Sequence, residues 1–462
     1  GVMFEVTSGW MGRHWYLQVP ASSSNAGVSY KVRRTLGYWE IKHRAGTTKR
    51  WEPLVRTSSD LPQELTASRH SAYDLPAEYK ARVQDLIDNH PKLLDSVFIT
   101  RDSGLNTTRE FFTQLRLKLR SDARTFFKAN PGKPRPARPE LPGNTSAKDL
   151  FERLYENTRG IVLGETHAQQ SGKQVLITQM SELAKNDVKV LFLEHLHTDL
   201  HQAHLDALFE TGKMPVVLDD FLRNQDAGHR LNPASRYTYS QLVREAQHHG
   251  IRIKALDCTA SYNIKGLPNE GPNVDRYQVF SYFAAQMINQ YQGQNPTHKW
   301  IALTGNSHTN TFQGVPGLAE LEGAIGVRIS DVAPGSGHGL QKNLGAIVPP
   351  GFQQRDYLFL KNDYWLTMDV AGTPPAPPSL SRTQIEARLT QTGQFMFENT
   401  PLVGPQLVHR ARNQQIVRTR LQSEDGQFFI DRPDWASVHL KRYDHLRDFL
   451  HDVTELGLQL VK

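Results

Sequence analysis

The sequence predicts an α/β fold: a mostly parallel sheet flanked by helices, with a small N-terminal β-plus-helix module and a C-terminal α+β tail. Three observations carry this. Four short apolar runs, Ile161–Leu163, Val188–Leu193, Ile251–Leu256 and Trp300–Thr304, read as buried strands. Helical patterns separate them, so neighbouring strands are expected to run parallel. Each run ends on ionisable residues, as strands do when their carboxyl ends form a ligand site.

Taken in order, residues 1–60 are aromatic and strand-like, with Trp10, Trp15, Tyr16, Tyr38, Trp39 and Trp51 and a loop at Ser22–Gly27. Tryptophans this close are expected to pack a small core. Two helices are predicted over 77–128. Pro76 opens the first and Asn106–Glu110 caps the second, whose Arg116, Lys118, Arg120 and Arg124 are assigned to a solvated face. Residues 131–144 hold five prolines within Pro131–Pro142 and form an extended, semi-rigid linker. The N-terminal module is therefore placed at 1–130 and the α/β domain at 145–372. Ser146 caps a helix over Ala147–Asn157, and further helices are expected at Gln174–Lys185, Thr198–Glu210, Tyr239–His249 and Val274–Gln290. Residues 212–236, with Gly212, Gly228 and Pro233, are read as irregular and overhanging the site. Ala324–Ile329 is a fifth strand. Thr373–Pro378 is a second proline-rich break, and the tail, 380–462, carries a helix at Arg382–Leu389, strands, and an amphipathic helix at Val438–Leu456.

The chain has 462 residues, a net charge of +7 and one cysteine, Cys258. No intrachain disulfide can form, and Cys258, just after a buried strand, is read as an inert thiol. The mild basicity is assigned to a solvated surface; it permits peripheral contact with anionic membranes. No apolar run approaches the roughly 18 residues of a spanning helix. No phosphate-binding loop, paired-cysteine or His-Glu-x-x-His motif is present. Without a nucleic-acid reading motif, no nucleic-acid partner is expected. The opening Val2–Val6 is already strand-like, so the chain reads as a piece excised from a longer polypeptide.

The strand ends bring Glu165, His167, Glu194, Asp257 and His308 to one sheet rim. Two imidazoles and three carboxylates suit a divalent metal with an open position, or acid–base chemistry without one. His195, His197, His201 and His204 fall at helical spacing and are mostly assigned to the surface.

Gly164-Glu-Thr-His167, the Glu194 after Leu191-Phe-Leu193, and Gly305-Asn-Ser-His308 resemble the motifs of the TIKI/ChaN/erythromycin-esterase superfamily, including a domain of large dermonecrotic-type bacterial toxins. Arg276 resembles that family's arginine on the helix before the last motif. The resemblance covers about 145–335. It implies a metal-assisted hydrolase of ester or peptide bonds within a toxin or effector, secreted or delivered into a host cell. A protein or small-molecule ester substrate and a host target are implied. Carried over, His167 is base or metal ligand, Glu165 and Glu194 are ligand or orienting carboxylate, His308 is the second imidazole and Arg276 neutralises a carboxylate or oxyanion; His167, Glu194 and His308 are taken as the ligands of a divalent ion (Mn, Co or Zn), and Asp257, from its own strand end, joins the catalytic set. The alternative implied by other branches is a non-catalytic module that holds haem or another ligand, or serves targeting, with the same His/Glu site.

Overall fold

The computed structural model describes residues 70–94, 99–267, 274–336, 339–351, 355–400 and 404–462, together with the backbone of five strands within 5–53. Those strands, β1 (Glu5–Ser8), β2 (Trp15–Gln18), β3 (Ser29–Thr35), β4 (Tyr38–Ala45) and β5 (Thr48–Pro53), form one antiparallel meander. The expected packing of the six aromatic side chains there, and the 22–27 loop, lie outside the described residues. The chain divides into two compact units. The first comprises Gly1–Lys128, His195–Lys213 and Lys254–Phe283; the second comprises Ala129–Glu194, Met214–Ile253 and Ala284–Lys462.

The largest sheet is built from β6 (Gly160–Glu165), β7 (Val188–His197), β8 (Arg252–Asp257), β9 (Lys299–Gly305), β10 (Ile325–Val332), β11 (Leu340–Lys342) and β14 (Tyr364–Asp369). Their order is β11-β14-β10-β6-β9-β7-β8, and β12 (Ala346–Val348) and β13 (Leu358–Leu360) form a separate antiparallel pair. The pairs β14/β10, β10/β6, β6/β9 and β9/β7 are parallel, and only the edge pair β11/β14 among those described is antiparallel. Ile161, Val162, Leu163, Ile301 and Ala302 are fully buried. That is why these strands read as unbroken apolar runs: helices cover both faces, so no polar alternation survives. Each fully buried Leu or Ile contributes about 1.5–3 kcal/mol relative to exposure. Parallel register also puts the carboxyl ends of neighbouring strands at one edge; Glu165 and Gly305 are direct Cα partners.

Most helices form as the sequence predicts, with Ser146 and Thr238 accepting from the Asp149 and Gln241 backbone N–H groups as N-caps. Three expectations are corrected. Residues 212–236 are not irregular throughout: Val216–Gly228 is a helix with Leu218, Leu222 and Asp226 buried. Its breakers sit at boundaries. Gly212, at φ 72°, ends the preceding helix, and Pro215 and Gly228 bracket this one. The last helix covers only Leu446–Glu455. Residues 438–445 instead bridge back to strand β18 (Gln427–Ile430) through paired Phe428 and Tyr443 backbone bonds. Third, Arg116 and Arg120 are buried, not solvated. Within the first unit Arg116 donates to the carbonyls of Leu94, Asn263 and Lys265 at 3.0–3.2 Å, tying loops that have no strand partner.

The proline-rich segment is a strap docked within the second unit. Lys133 pairs with Glu322 at 2.9 Å and Arg135 with Glu320 at 3.4 Å. Arg135 and Arg138 both reach the buried carboxylate of Asp363, and Pro139 O accepts from the Tyr364 hydroxyl at 2.6 Å. The same unit contains the C-terminal strands β15 (Gln394–Thr400), β16 (Gly404–Arg410), β17 (Ile416–Glu424) and β18, antiparallel in sequence, with β19 (Gln459–Leu460) parallel to β15. Phe395, Leu407, Leu421, Phe428 and Phe449 form their core. Among the described residues no helix is long and apolar enough to cross a membrane.

One histidine makes this C-terminal sheet acid-sensitive. His409 on β16 is buried against Trp435, and burial, then the Arg432 charge, push its pKa from 6.5 down to about 4. The folded state therefore favours the neutral ring. Its contribution is intact above pH 6.5 and is lost as the pH falls toward 4, because the unfolded chain takes up the proton first. Urea unfolding at pH 7.5 and 4.5 is expected to show about 2–3 kcal/mol more loss in the native chain than in His409→Gln. Equal losses would remove His409 as the cause.

Candidate functional site

The site forms where β6, β9 and β7 end side by side. Gly164 is required by close approach: a Cβ there would lie 2.1 Å from Thr309 Oγ1 and 3.0 Å from the Asn306 Cα. The missing side chain lets the 306–310 loop sit down on β6, with Asn306 N–H donating to Glu165 O at 3.0 Å. Gly305 serves β9 likewise, since a Cβ there would meet His167 Nε2 at 3.2 Å and Glu194 Oε2 at 3.4 Å. The two Gly-x-x-His segments are thus packed on one another through their glycines.

Glu165, Glu194 and His308 are buried, and His167 is partly open to solvent. His167 Nδ1 lies 3.4 Å from Glu165 Oε1, and its Nε2 faces Glu194 Oε2 at 3.9 Å. The other Glu194 oxygen lies 3.4 Å from His308 Nε2, and Gly305 N–H donates to Glu194 Oε2. One carboxylate therefore stands between two imidazoles, and a second sits behind one of them. Glu165 and His167 offer ligand-type atoms within 4.8 Å of each other, in a His/Glu cluster able to hold a metal ion.

The sequence reading missed two side chains that hold Glu165. Lys173 is fully buried; its Nζ donates to Glu165 Oε2 at 3.1 Å, to His167 O at 2.9 Å and to Gln169 O. The buried Tyr239 hydroxyl donates to Glu165 Oε1, and the Lys173 ammonium lies 4.7 Å from the centre of the Tyr239 ring. Gly172 admits the carboxylate, because a Cβ there would fall 2.5 Å from Glu165 Oε2. The available signal was local: a Gly–Lys pair at a helix start, with the lysine eight residues past the Glu that ends the strand. His229, at the end of the Val216–Gly228 helix, stacks obliquely on His167 with ring centres 5.2 Å apart.

These contacts set proton affinities. Burial alone would lower the His167 pKa, but the Glu165 hydrogen bond and the Glu194 and Glu165 charges outweigh it, and the net shift is upward. Burial, then the Glu165 charge, drives the Tyr239 hydroxyl far above its usual range, so it stays a donor. Burial, then the His167 charge, lowers His229.

Asp257 and Arg276 lie in the first unit. The Arg276 guanidinium donates to Asp257 Oδ2 at 2.9 Å and to Ser261 O and Oγ at 3.0 and 2.9 Å. Cys258 is buried, and burial raises its thiol pKa well above normal. His197 and His201 are buried rather than at the surface; His201 Nδ1 accepts from the His197 backbone N–H at 2.8 Å.

No protein-family profile matches the chain. Its sequence is 27% identical over 199 residues to a multifunctional-autoprocessing repeats-in-toxin protein of Vibrio vulnificus. That stretch is 42% of this chain and 4% of the toxin. Among solved structures it resembles RRSP, a MARTX toxin effector domain from Vibrio vulnificus, at 26% identity, covering 40% of this chain and 36% of that one with a TM-score of 0.34. The C-terminal region of Pasteurella multocida toxin, described as having a thiol-protease-like catalytic triad, aligns at 11% identity over 75% of this chain and 56% of that one, with a TM-score of 0.38.

Proposed function

We propose that this chain is a hydrolase domain of the TIKI/ChaN/erythromycin-esterase type, acting on ester or peptide bonds of a host target as part of a larger bacterial toxin or effector. The toxin context is supported by the similarity to a short stretch of the Vibrio toxin. The chemistry rests on one observation: Glu165 faces His167 Nδ1, which leaves Nε2 directed at Glu194 with His308 on that carboxylate's other oxygen.

That donor set is of the kind a divalent ion takes. Imidazole nitrogens and a carboxylate oxygen are ligand types that Zn, Mn or Co accept, and the two Glu194 oxygens lie 3.9 Å from His167 Nε2 and 3.4 Å from His308 Nε2. His167 Nε2, Glu194 and His308 Nε2 would hold it. Such an ion supplies Lewis acidity toward a carbonyl oxygen. Glu165 fixes the His167 tautomer by accepting from Nδ1–H, as carboxylates behind ligating histidines do. Lys173 and Tyr239 hold Glu165 in the orientation that makes this contact.

A second reading uses the same residues without an ion. The Glu165–His167 contact also describes a base that takes a proton from water at Nε2 and returns it to the leaving group. Elemental analysis of protein purified without chelator, with hydrolysis of peptide libraries and aryl esters followed with and without EDTA, separates the two. The metal reading expects about one equivalent of ion and loss of turnover on chelation. Full activity in metal-free protein selects the second. No hydrolysis of any library member, or saturable uptake of haem with loss of its free absorbance, rejects both.

A further inference from the structure

Arg328 is a half-buried arginine, two of whose three guanidinium nitrogens are shielded from solvent. It lies on β10 and pairs in register with Gly164 of β6 on one side and Trp365 of β14 on the other. Its Nε and Nη1 are shielded from solvent and, among the described residues, meet no hydrogen-bond acceptor. Burial lowers its pKa from 12.5 to about 10, with no carboxylate contributing against that shift. By contrast, Arg116 donates to backbone carbonyls, Lys173 to Glu165 and Arg135 to Asp363. A hidden cation without a counter-charge is costly, so the position is informative.

The surroundings are built. The guanidinium carbon lies 4.4 Å from the centre of the Trp365 ring, and Trp365 is itself fixed by its Nε1–H donating to Ser330 Oγ at 2.9 Å. Strand alternation puts Arg328 on the face of Gly326 and Gly164. A Cβ on Gly326 would fall 2.0 Å from Asn310 Oδ1 and one on Gly164 2.1 Å from Thr309 Oγ1, so this face carries the loop that bears His308. Here the loop approaches two glycines, and beside it the Arg328 guanidinium lies over the Trp365 ring.

We infer that Arg328, stacked on Trp365, is a binding site for an oxyanion, a carboxylate or a phosphate group. A guanidinium presents planar, fixed donors that match either group, and the ring beneath it holds its plane. This inference stands independently of the hydrolase reading, since it concerns binding alone.

Calorimetric titration of the full chain with sodium acetate, and separately with inorganic phosphate, at constant ionic strength tests it. Saturable uptake of at least one anion is expected, weakened at least about tenfold in Arg328→Met. Arg328→Lys keeps the charge but not the planar fork, and is expected to retain phosphate better than acetate. Trp365→Phe, which keeps a stacking surface, serves if Arg328→Met does not fold, and is expected to retain binding more weakly. A stronger response to acetate assigns the site to a carboxylate, and a stronger response to phosphate to a phosphorylated group. Absence of saturable uptake by the native chain, or equal affinities in native, Arg328→Met and Arg328→Lys proteins, overturns the inference.

Discussion

Alanine at His167 or at His308 is expected to reduce turnover by about 10²–10⁴-fold, the range for removing a positioned acid–base or electrostatic group. His167 is partly exposed, so His167→Ala should leave the circular dichroism spectrum and urea midpoint almost unchanged. His308 is buried against Glu194, so His308→Gln, which preserves most of its volume and a polar tip, accompanies the alanine variant. Because both imidazoles address the same carboxylate, the double variant should lose little more than either single one, as for groups that act as a unit. Both single variants retaining activity within about threefold would reject the site.

Much of this constellation is visible in the sequence for a definite reason. Parallel strands buried on both faces leave long apolar runs, and a Glu or His immediately after such a run has few places to go. Gly164 and Gly305 are legible because each stands just after an apolar run as the first residue of a Gly-x-x-His segment, although the contact that excludes a Cβ from Gly164, with Thr309, is distant in the chain. What escapes is whatever depends on contacts distant in the chain. Lys173 sits on a helix whose periodicity gives no hint that the ammonium turns inward, and Tyr239 looks like an ordinary residue after a Thr cap. Arg116 and Arg120 look solvated because charge is read as exposure, yet long side chains reach buried carbonyls. The Val216–Gly228 helix was hidden because glycine and proline signal breaks without saying whether the break lies inside an element or at its end.

Lys173→Met is expected to destabilise the chain by about 3–5 kcal/mol, the cost of leaving a buried charge without its partner. The lysine is fully buried, and its ammonium serves one carboxylate and two backbone carbonyls, so methionine replaces volume but no donor. Glu165→Gln in the same chain removes the stranded charge and should restore more than half of the loss, a coupling that a double-mutant cycle reads directly. Urea denaturation of the native, two single and double variants provides the four numbers. Strict additivity would mean that the ammonium and the carboxylate do not stabilise one another. Under the proposed function the same pair bears on turnover, because without Lys173 the Glu165 carboxylate loses one of the two side chains that orient it toward His167.

The strap through Lys133, Arg135 and Arg138 changes how the polypeptide can be dissected. Trimming at the prolines, the obvious place to separate modules, would strip both arginines from Asp363, whose side chain is fully enclosed. The acid would keep the Gly326 N–H and the Asn310 amide as donors but lose both of those cationic partners, a costly state for an enclosed carboxylate. An expression fragment that keeps the α/β core intact should begin before Lys133.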